Sequence, residues 1–408
     1  MSNVPKLRFK EFSGEWEEKS LGSISKQISY GLTVRPEYIE TGIPLISARE
    51  LRNGKIDYDI ASKISEDSYN DLSEKAKAKK GDIFLTKTGT VGLSAYVNED
   101  FLIAITQNIA VIRVSNENYN HQFILQTFKT QNFYRTAISK VNQSTIMDLQ
   151  LQDIRKLSVF FPSKEEQEKI ASFLISIDTK IEQLIKKEQL LQQYKKSVMQ
   201  KIFNQEIRFK DDDGSEFCEW EEKKLGNICK LQGGFAFKSE QFRKSGIPII
   251  RISNISNINN YIDRENIVYY DAIPNDRNFS ITNGDLIVAM SGATTGKASI
   301  YNLNEKAYLN QRVGLFRANK DKLYYGYLVQ FVFSKLFYRQ LDTVLVAGAQ
   351  PNISSKDIED FKFNLPCLKE QIKIANFLSS IDSKIEQVQQ HLNSTKEFKK
   401  ALLQQMFV

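Results

Sequence analysis

The sequence predicts an α+β protein. Two mixed α/β, strand-rich domains are separated by two long antiparallel helices that pair as a coiled coil, and the whole is a tandem duplication with pseudo-two-fold symmetry. Three observations carry this reading. The stretch PSKEEQEKIASFLISIDTKIEQ from Pro162 returns as PCLKEQIKIANFLSSIDSKIEQ from Pro366; 15 of the 22 positions are identical at a constant offset of 204, half of the 408 residues. Each copy then continues as an apolar-periodic helix, to Phe203 and to Phe407. Ahead of each helix lie short apolar runs, IPLIS, DIFLT and IAVIRV before the first and IPIIRI, DLIVAM and VGLFRA before the second, bounded by Gly, Asn and Ser turn clusters.

The elements follow in the order domain 1–161, helix 162–204, domain 205–365, helix 366–408. Both domains open alike: Arg8-Phe9-Lys10 matches Arg208-Phe209-Lys210, and after a four-residue insertion Trp16-Glu17-Glu18-Lys19 matches Trp220-Glu221-Glu222-Lys223. Gly42-Ile43-Pro44 then matches Gly246-Ile247-Pro248, and Gly81-Asp82 matches Gly284-Asp285. Gln107 pairs with Gln311, Arg113 with Arg317, and Asp153-Ile154 with Asp357-Ile358. Helical stretches near 119–140 and 321–340 are rich in aromatics, which we read as core packing in preference to base stacking.

Ser163 with Glu166, just after a proline, reads as a capping box opening the first long helix. Apolar residues then step by alternating four and three through Ile170, Leu174, Ile177, Ile181, Leu184, Leu191, Val198 and Ile202. The second copy gives Ile374, Leu378, Ile381, Ile385, Val388, Leu392, Leu402 and Met406. This is a heptad seam. A rod of about 60 Å (~40 residues at 1.5 Å each) cannot bury such a seam alone, but two rods bury each other. Polar residues interrupt it at Glu188, Lys195, Thr395 and Lys399, where the expectation is fraying or a meeting with another subunit.

Composition sets bounds. Lys and Arg exceed Asp and Glu by 56 to 49, and the surplus is spread along the chain, which permits nucleic-acid binding without demanding it. No apolar run approaches the roughly 18–20 residues of a membrane span, and no signal peptide is visible, so a cytoplasmic protein is expected. Cys218, Cys229 and Cys367 have no metal-ligand spacing and read as reduced thiols. Only His121 and His391 are present, neither in a Cys/His cluster, which argues against metal catalysis and Ser-His-Asp hydrolysis. The loop Gly292-Ala-Thr-Thr-Gly296-Lys297 is one residue too short for a phosphate loop, and Ala298 stands where a Mg²⁺-binding hydroxyl is required. No catalytic residue and no bound metal are expected.

These features together resemble the specificity (S) subunit of type I restriction–modification systems. The carrying residues are LRFKEFSGEWEEKSLG and IRFKDDDGSEFCEWEEKKLG, GIPLIS and GIPIIRISNI, GDIFLTKTGTVG and GDLIVAMSGATTG, NQRVGLF at 310–316, and the helix starts at Pro162 and Pro366. The resemblance covers essentially the whole chain. It implies that each strand-rich domain is a target-recognition domain reading one half of a bipartite, asymmetric site in double-stranded DNA. It further implies that the helices set the spacing and dock two modification (methyltransferase) subunits, which restriction (translocase-nuclease) subunits can join. Adenine N6 methylation with S-adenosylmethionine, and cleavage with ATP and Mg²⁺, are then chemistry of the partners, and this chain binds no cofactor. A non-catalytic coiled-coil scaffold, or a DNA-binding adaptor outside restriction–modification, is the alternative.

Base readers must be donors or acceptors that reach groove edges. In the first domain the candidates are Ser47, Arg49, Thr86, Lys87, Thr88, Gly89, Thr90, Gln107 and Asn108; in the second they are Arg251, Ser253, Asn254, Ser291, Thr294, Thr295, Lys297, Gln311, Arg312, Gln350 and Asn352. For each, the competing role is that of a turn residue bonding its own backbone. Motifs shared by both copies, the paired glutamines included, read as scaffold, because the two halves are expected to read different bases. Lys75, Lys77, Lys79 and Lys80 are expected to touch phosphate or to solvate a surface.

Overall fold

A computed structural model of the chain describes residues 3–52, 54–115, 118–141, 146–255, 260–347 and 352–408. It divides into two compact units, Met1–Ile185 with Gln390–Val408, and Lys186–Gln389, so each unit takes part of both long helices. The helices run Lys164–Phe203 (40 residues) and Leu368–Gln405 (38 residues).

Within the first unit two four-stranded sheets stack face to face. One joins Ser25–Tyr30, Ile109–Val114, Ile83–Thr86 and Ser94–Tyr96, all antiparallel. The other contains the parallel pair Ile43–Ile46 and Ile103–Ile105, flanked by Ser62–Ile64 and Lys77–Ala78. Alternation along each strand divides its side chains between two cores. Phe84, Ile109 and Val111 meet Ile46, Ile103 and Ile105 between the sheets. Ile83, Leu85, Ala110 and Ile112 turn the other way, onto the helices His121–Phe128 and Gln131–Ser139 and the long-helix residues Ile170, Leu174, Ile177, Leu402 and Met406. With both faces covered, the strands read as continuous apolar runs.

The second unit repeats the arrangement. Its sheets have the orders Cys229–Gly233, Val313–Ala318, Leu286–Ala289, Ala298–Ile300 and Val268–Tyr270, Ile247–Ile250, Ala307–Leu309, Ser280–Ile281. Here Val198, Ile202 and Phe203 of the first helix, and Ile374, Leu378 and Ile381 of the second, enter the core beside Tyr327 and Phe331. Most aromatics of the short helices are core, Phe123, Phe128, Tyr327, Phe331 and Phe337 being 2% exposed or less, while Tyr325 and Tyr338 are half-buried and Tyr134 is exposed.

The repeated motifs become legible as joints. Arg8 grips the buried Glu166 carboxylate in a fork (2.8 and 2.7 Å), and Arg208 grips Glu370 (3.3 and 3.0 Å), tying each domain's leading segment to its helix start. The expected capping box is therefore only half formed. Ser163 Oγ accepts from Glu166 N at 3.4 Å, but the glutamate is committed to Arg8. Gln167 donates to the Pro162 and Asn118 carbonyls and accepts from Asn120 N; Gln371 does the same with Pro366, Lys322 and Tyr324 N.

The polar interruptions of the seam do not fray. Lys399 is 9% exposed and its ammonium lies 2.5 Å from Asp178; the repeat-equivalent Lys195, 8% exposed, lies 2.6 Å from Asp382. Gln126 adds a bond to Asp178, and Gln330 one to Asp382. In the second unit Glu188 also accepts from Gln389 at 2.8 Å. Moving seven residues back from Lys195 thus moves seven forward from Asp382, the signature of antiparallel pairing. A slip of register would leave each ammonium buried without its carboxylate, which is costly, so the pairs favour this alignment of the helices where fraying was expected. Thr395 is half-buried and bonds its own helix at the His391 carbonyl. Thirteen of the sixteen apolar seam residues are buried, and Ile181, Leu191 and Ile385 are half-buried.

Candidate nucleic-acid interface

At one end of the stacked sheets, strand ends and turns meet in a rim, built by the same backbone bonds in both units. In the first, Lys87 N donates to the Asn108 carbonyl (2.8 Å), Leu149 N to that of Lys87 (2.8 Å), and Gln107 N to that of Leu32 (2.8 Å). In the second, Met290 N donates to Arg312 (2.9 Å), Ile353 N to Met290 (3.0 Å), and Gln311 N to Phe235 (2.9 Å). Thr88 bridges Asp148, and Ser291 bridges Asn352. The turns need glycine at positive φ: Gly89 at 80° and Gly292 at 82°. Gly296 also leaves no room for a Cβ, which would fall 2.1 Å from Leu341.

The rim brings together Lys87, Thr88, Gly89, Gln107 and Asn108 in the first unit, and Ser291, Gln311, Arg312 and Asn352 in the second. Gln107, Gln311, Arg312, Thr90 and Asn352 are exposed. The shared glutamines are not consumed by scaffold bonds. Their N–H groups hold the turn, while both side chains face solvent. Lys87 is different. Its ammonium sits 2.6 Å from Asp148 and 5.8 Å from the Tyr30 ring, and Thr88 donates to the same carboxylate oxygen at 2.5 Å. Burial raises the Asp148 pKa, but the Lys87 and Thr88 bonds outweigh it and hold the carboxyl below its ordinary range.

Several candidates are spoken for locally. Thr86 is fully buried and accepts from Leu93 N, closing the turn. Asn254 is also fully buried; it accepts from Arg251 N and donates to the Asp263 and Glu265 carbonyls. Fully buried and bonded to backbone groups, both side chains serve the local turns, and here the structure departs from their reading as base readers. Ser47 donates to Glu50 (2.6 Å), and Arg49 binds Glu50 and the Ile60 carbonyl while remaining exposed. Arg251 donates to the Asn266 carbonyl. Thr294 donates to the Ile252 carbonyl and Thr295 to that of Gly292. Ser253 is exposed and Lys297 half-buried. Gln350 lies outside the described residues. Of the lysine cluster, Lys77 and Lys79 pair with Glu74 and Lys80 with Asp100, leaving Lys75 exposed beside them.

Asp148, Tyr30 and Phe235 belong to the rim and were not among the residues chosen from sequence. The offset of 204 that carries Asp148 onto the chosen Asn352 is the signal that could have found the first of them. Chemically the rim offers amides, hydroxyls, a guanidinium and an ammonium on rigid strand ends, a set suited to hydrogen-bonding base edges. Among the described residues no group of three His, Cys, Asp or Glu could hold a metal ion, and no helix is long and apolar enough to cross a membrane.

A family model described as the type I restriction modification DNA specificity domain matches the chain twice, over residues 13–193 and 218–396. The chain is 24% identical over 411 residues to the type I restriction enzyme MjaVIII specificity subunit of Methanocaldococcus jannaschii, covering 97% of this chain and 94% of the relative. It is 30% identical over 194 residues to the EcoBI specificity subunit of Escherichia coli, covering 45% and 38% respectively. In fold it is similar to the crystal structure of the type I restriction–modification S subunit from M. genitalium, with TM-score 0.63, 16% identity and 99% of both chains covered.

Proposed function

This chain belongs to the type I restriction–modification DNA specificity family, and on that premise we propose that it supplies the address of a methylation and restriction complex whose chemistry lies in other subunits. Each unit reads one half of a bipartite, asymmetric site in double-stranded DNA. The carrying observation is the doubled rim: the backbone framework is the same in both units while the presented side chains differ. Lys87 stands against Met290, Asn108 against Arg312, and Asp148 against Asn352. A shared framework with divergent side chains is what two readers of different bases require.

Rim residues lie within groove reach by chemistry, and we assign base contact to the exposed ones, Thr90, Gln107, Gln311, Arg312 and Asn352. Lys87 contributes once DNA draws it from Asp148. The long helices set the distance between half-sites; facing one side of B-DNA, these lie about one turn apart, roughly 10 bp centre to centre. On this reading two modification subunits dock on the helices and restriction subunits join them in the cytoplasm. S-adenosylmethionine, ATP and Mg²⁺ are held by those partners.

Selection of bound duplexes from a randomised pool by the purified chain tests the proposal. Two short constant blocks separated by an unread gap are expected, with affinity falling as salt rises. Enrichment of a single block, or of none, refutes it.

A further inference from the structure

The necks that join each strand-rich domain to the start of its long helix are built alike, but they differ in one chemical respect. In the first unit Arg8 ties the leading segment to Glu166; in the second Arg208 does so with Glu370. At the offset of 204, Gly14 and Ser163 of the first neck are replaced in the second by Cys218 and Cys367. The chain has only three cysteines, so two of them at one joint, both absent from its repeat, are placed there by selection and not by abundance.

Several contacts bring the two thiols together. The strands Glu221–Lys224 and Lys362–Leu365 pair antiparallel with Glu221 opposite Leu365, so Cys218 lies just before one strand where Cys367 lies just after the other. Arg208 Nη2 donates both to the Cys218 carbonyl at 2.6 Å and to the Glu370 carboxylate at 3.0 Å, and Glu370 stands in the first helical turn after Cys367. The Cys367 carbonyl accepts from Gln371 N at 3.0 Å, which fixes it at the helix start. Desolvation, and next the neighbouring Cys367 thiol, push the Cys218 thiol up. Cys218 is nevertheless exposed and Cys367 half-buried, so reagents reach the pair. Cys229 is buried, and burial pushes its thiol up to about 12, which leaves it inert.

We propose that Cys218 and Cys367 are a reversible dithiol–disulfide site, oxidised by peroxide, that staples the second domain at its neck. Cys218, the exposed thiol, attacks hydrogen peroxide: an S–O bond forms, the O–O bond breaks, and water leaves a sulfenic acid behind. The Cys367 sulfur then attacks the Cys218 sulfur, the S–O bond breaks, and the oxygen departs as a second water with the Cys367 proton. Two thiols give up two electrons, and one peroxide is reduced to two waters; a dithiol reductant reverses the bond. The disulfide closes a loop of about 150 residues, nearly the whole second domain, and stabilises it by confining the unfolded chain. The first neck, with glycine and serine at these places, does not respond. Thiol redox state therefore acts on the second domain's attachment alone.

Peroxide treatment of the full chain, followed by intact mass and peptide mapping, tests this. The treated chain is expected to lose the mass of two hydrogen atoms, to yield one peptide pair linked through Cys218 and Cys367, and to revert with dithiothreitol. Trp220 lies in the second unit's core. Thermal unfolding followed by its fluorescence in a W16F background should shift up by at least about 5 °C on oxidation. C218S and C367S should each abolish the link and the shift, whereas C229S should keep both. C367S only installs the serine of the first neck, so loss of the link there is not loss of folding. Neither readout involves DNA, so the outcome is separate from that of the functional reading. A treated chain that keeps both thiols, gains oxygen without the link, links only to other chains, or forms the internal bond with no shift overturns the proposal.

Discussion

Replacing Asp178 by alanine is the perturbation that most sharply probes how the helices hold register. In the first unit its carboxylate accepts from Lys399 at 2.5 Å, from Gln126 at 3.1 Å, and from Lys129 at 3.4 Å. The Lys399 side chain is only 11% exposed, so D178A strands an ammonium between helices and leaves Lys129 beside a like charge. Breaking a buried pair costs about 3–5 kcal/mol; the aspartate here keeps some solvent contact, so about 2–3 kcal/mol is expected. Restoring neutrality with K399M in the same chain should recover most of that loss, because the charge to be desolvated is gone.

The assay is urea unfolding followed by Trp16 fluorescence in a W220F background, since Trp16 is buried in the first unit's core. D178A should lower the first unit's stability by that amount, and the double-mutant cycle with K399M should give coupling above about 1 kcal/mol. The pH dependence follows with a definite sign. Burial raises the Asp178 pKa, but Lys129, Lys399 and Gln126 outweigh it and hold the carboxyl below its ordinary range. Its contribution is therefore present above the unfolded-state value of about 3.9 and is lost as pH falls through the lower folded value. D178A should flatten that acid limb. A D178A effect under about 0.5 kcal/mol, or no coupling to Lys399, would refute the register argument.

Two further predictions concern reading and spacing. R312A and Q311A should relax specificity in the second half-site alone, by about 1–3 kcal/mol per lost base contact, and K87A should do so in the first; selection of bound duplexes reads the difference. Removing one heptad from both helices, between Asp178 and Lys195 and between Asp382 and Lys399, keeps both Lys–Asp pairs matched and should shorten the unread gap. The same removal from one helix forfeits a pair and should cost assembly, as measured by sedimentation with the modification subunit.

Duplication, strand pattern and helix period were all legible because each rests on local periodicity repeated twice. The seam lysines were misread. Periodicity flags a polar residue at a core position, but only the fold reveals Asp178 and Asp382 waiting for Lys399 and Lys195, 221 and 187 residues away in the chain. The helix motif P-x-x-x-E-Q was visible as a pattern, yet its purpose, holding Arg8 or Arg208 and the loop before each short helix, needed coordinates. Among the readers, Thr86 and Asn254 failed for one reason: residue type does not reveal whether a side-chain oxygen is already bonded to a nearby N–H. Asp148 escaped notice because carboxylates seldom face DNA, and its partnership with Lys87 is long-range.

The central claim is that this chain gives a complex its DNA address through two independent readers. Its most direct measurement is methylome sequencing of cells expressing the chain with a modification subunit, before and after residues 1–160 are exchanged for those of a relative. A single bipartite N6-methyladenine motif, of which the exchange alters one half and leaves the other, is the result the account predicts. An unchanged methylome, or an exchange that alters both halves together, would contradict it.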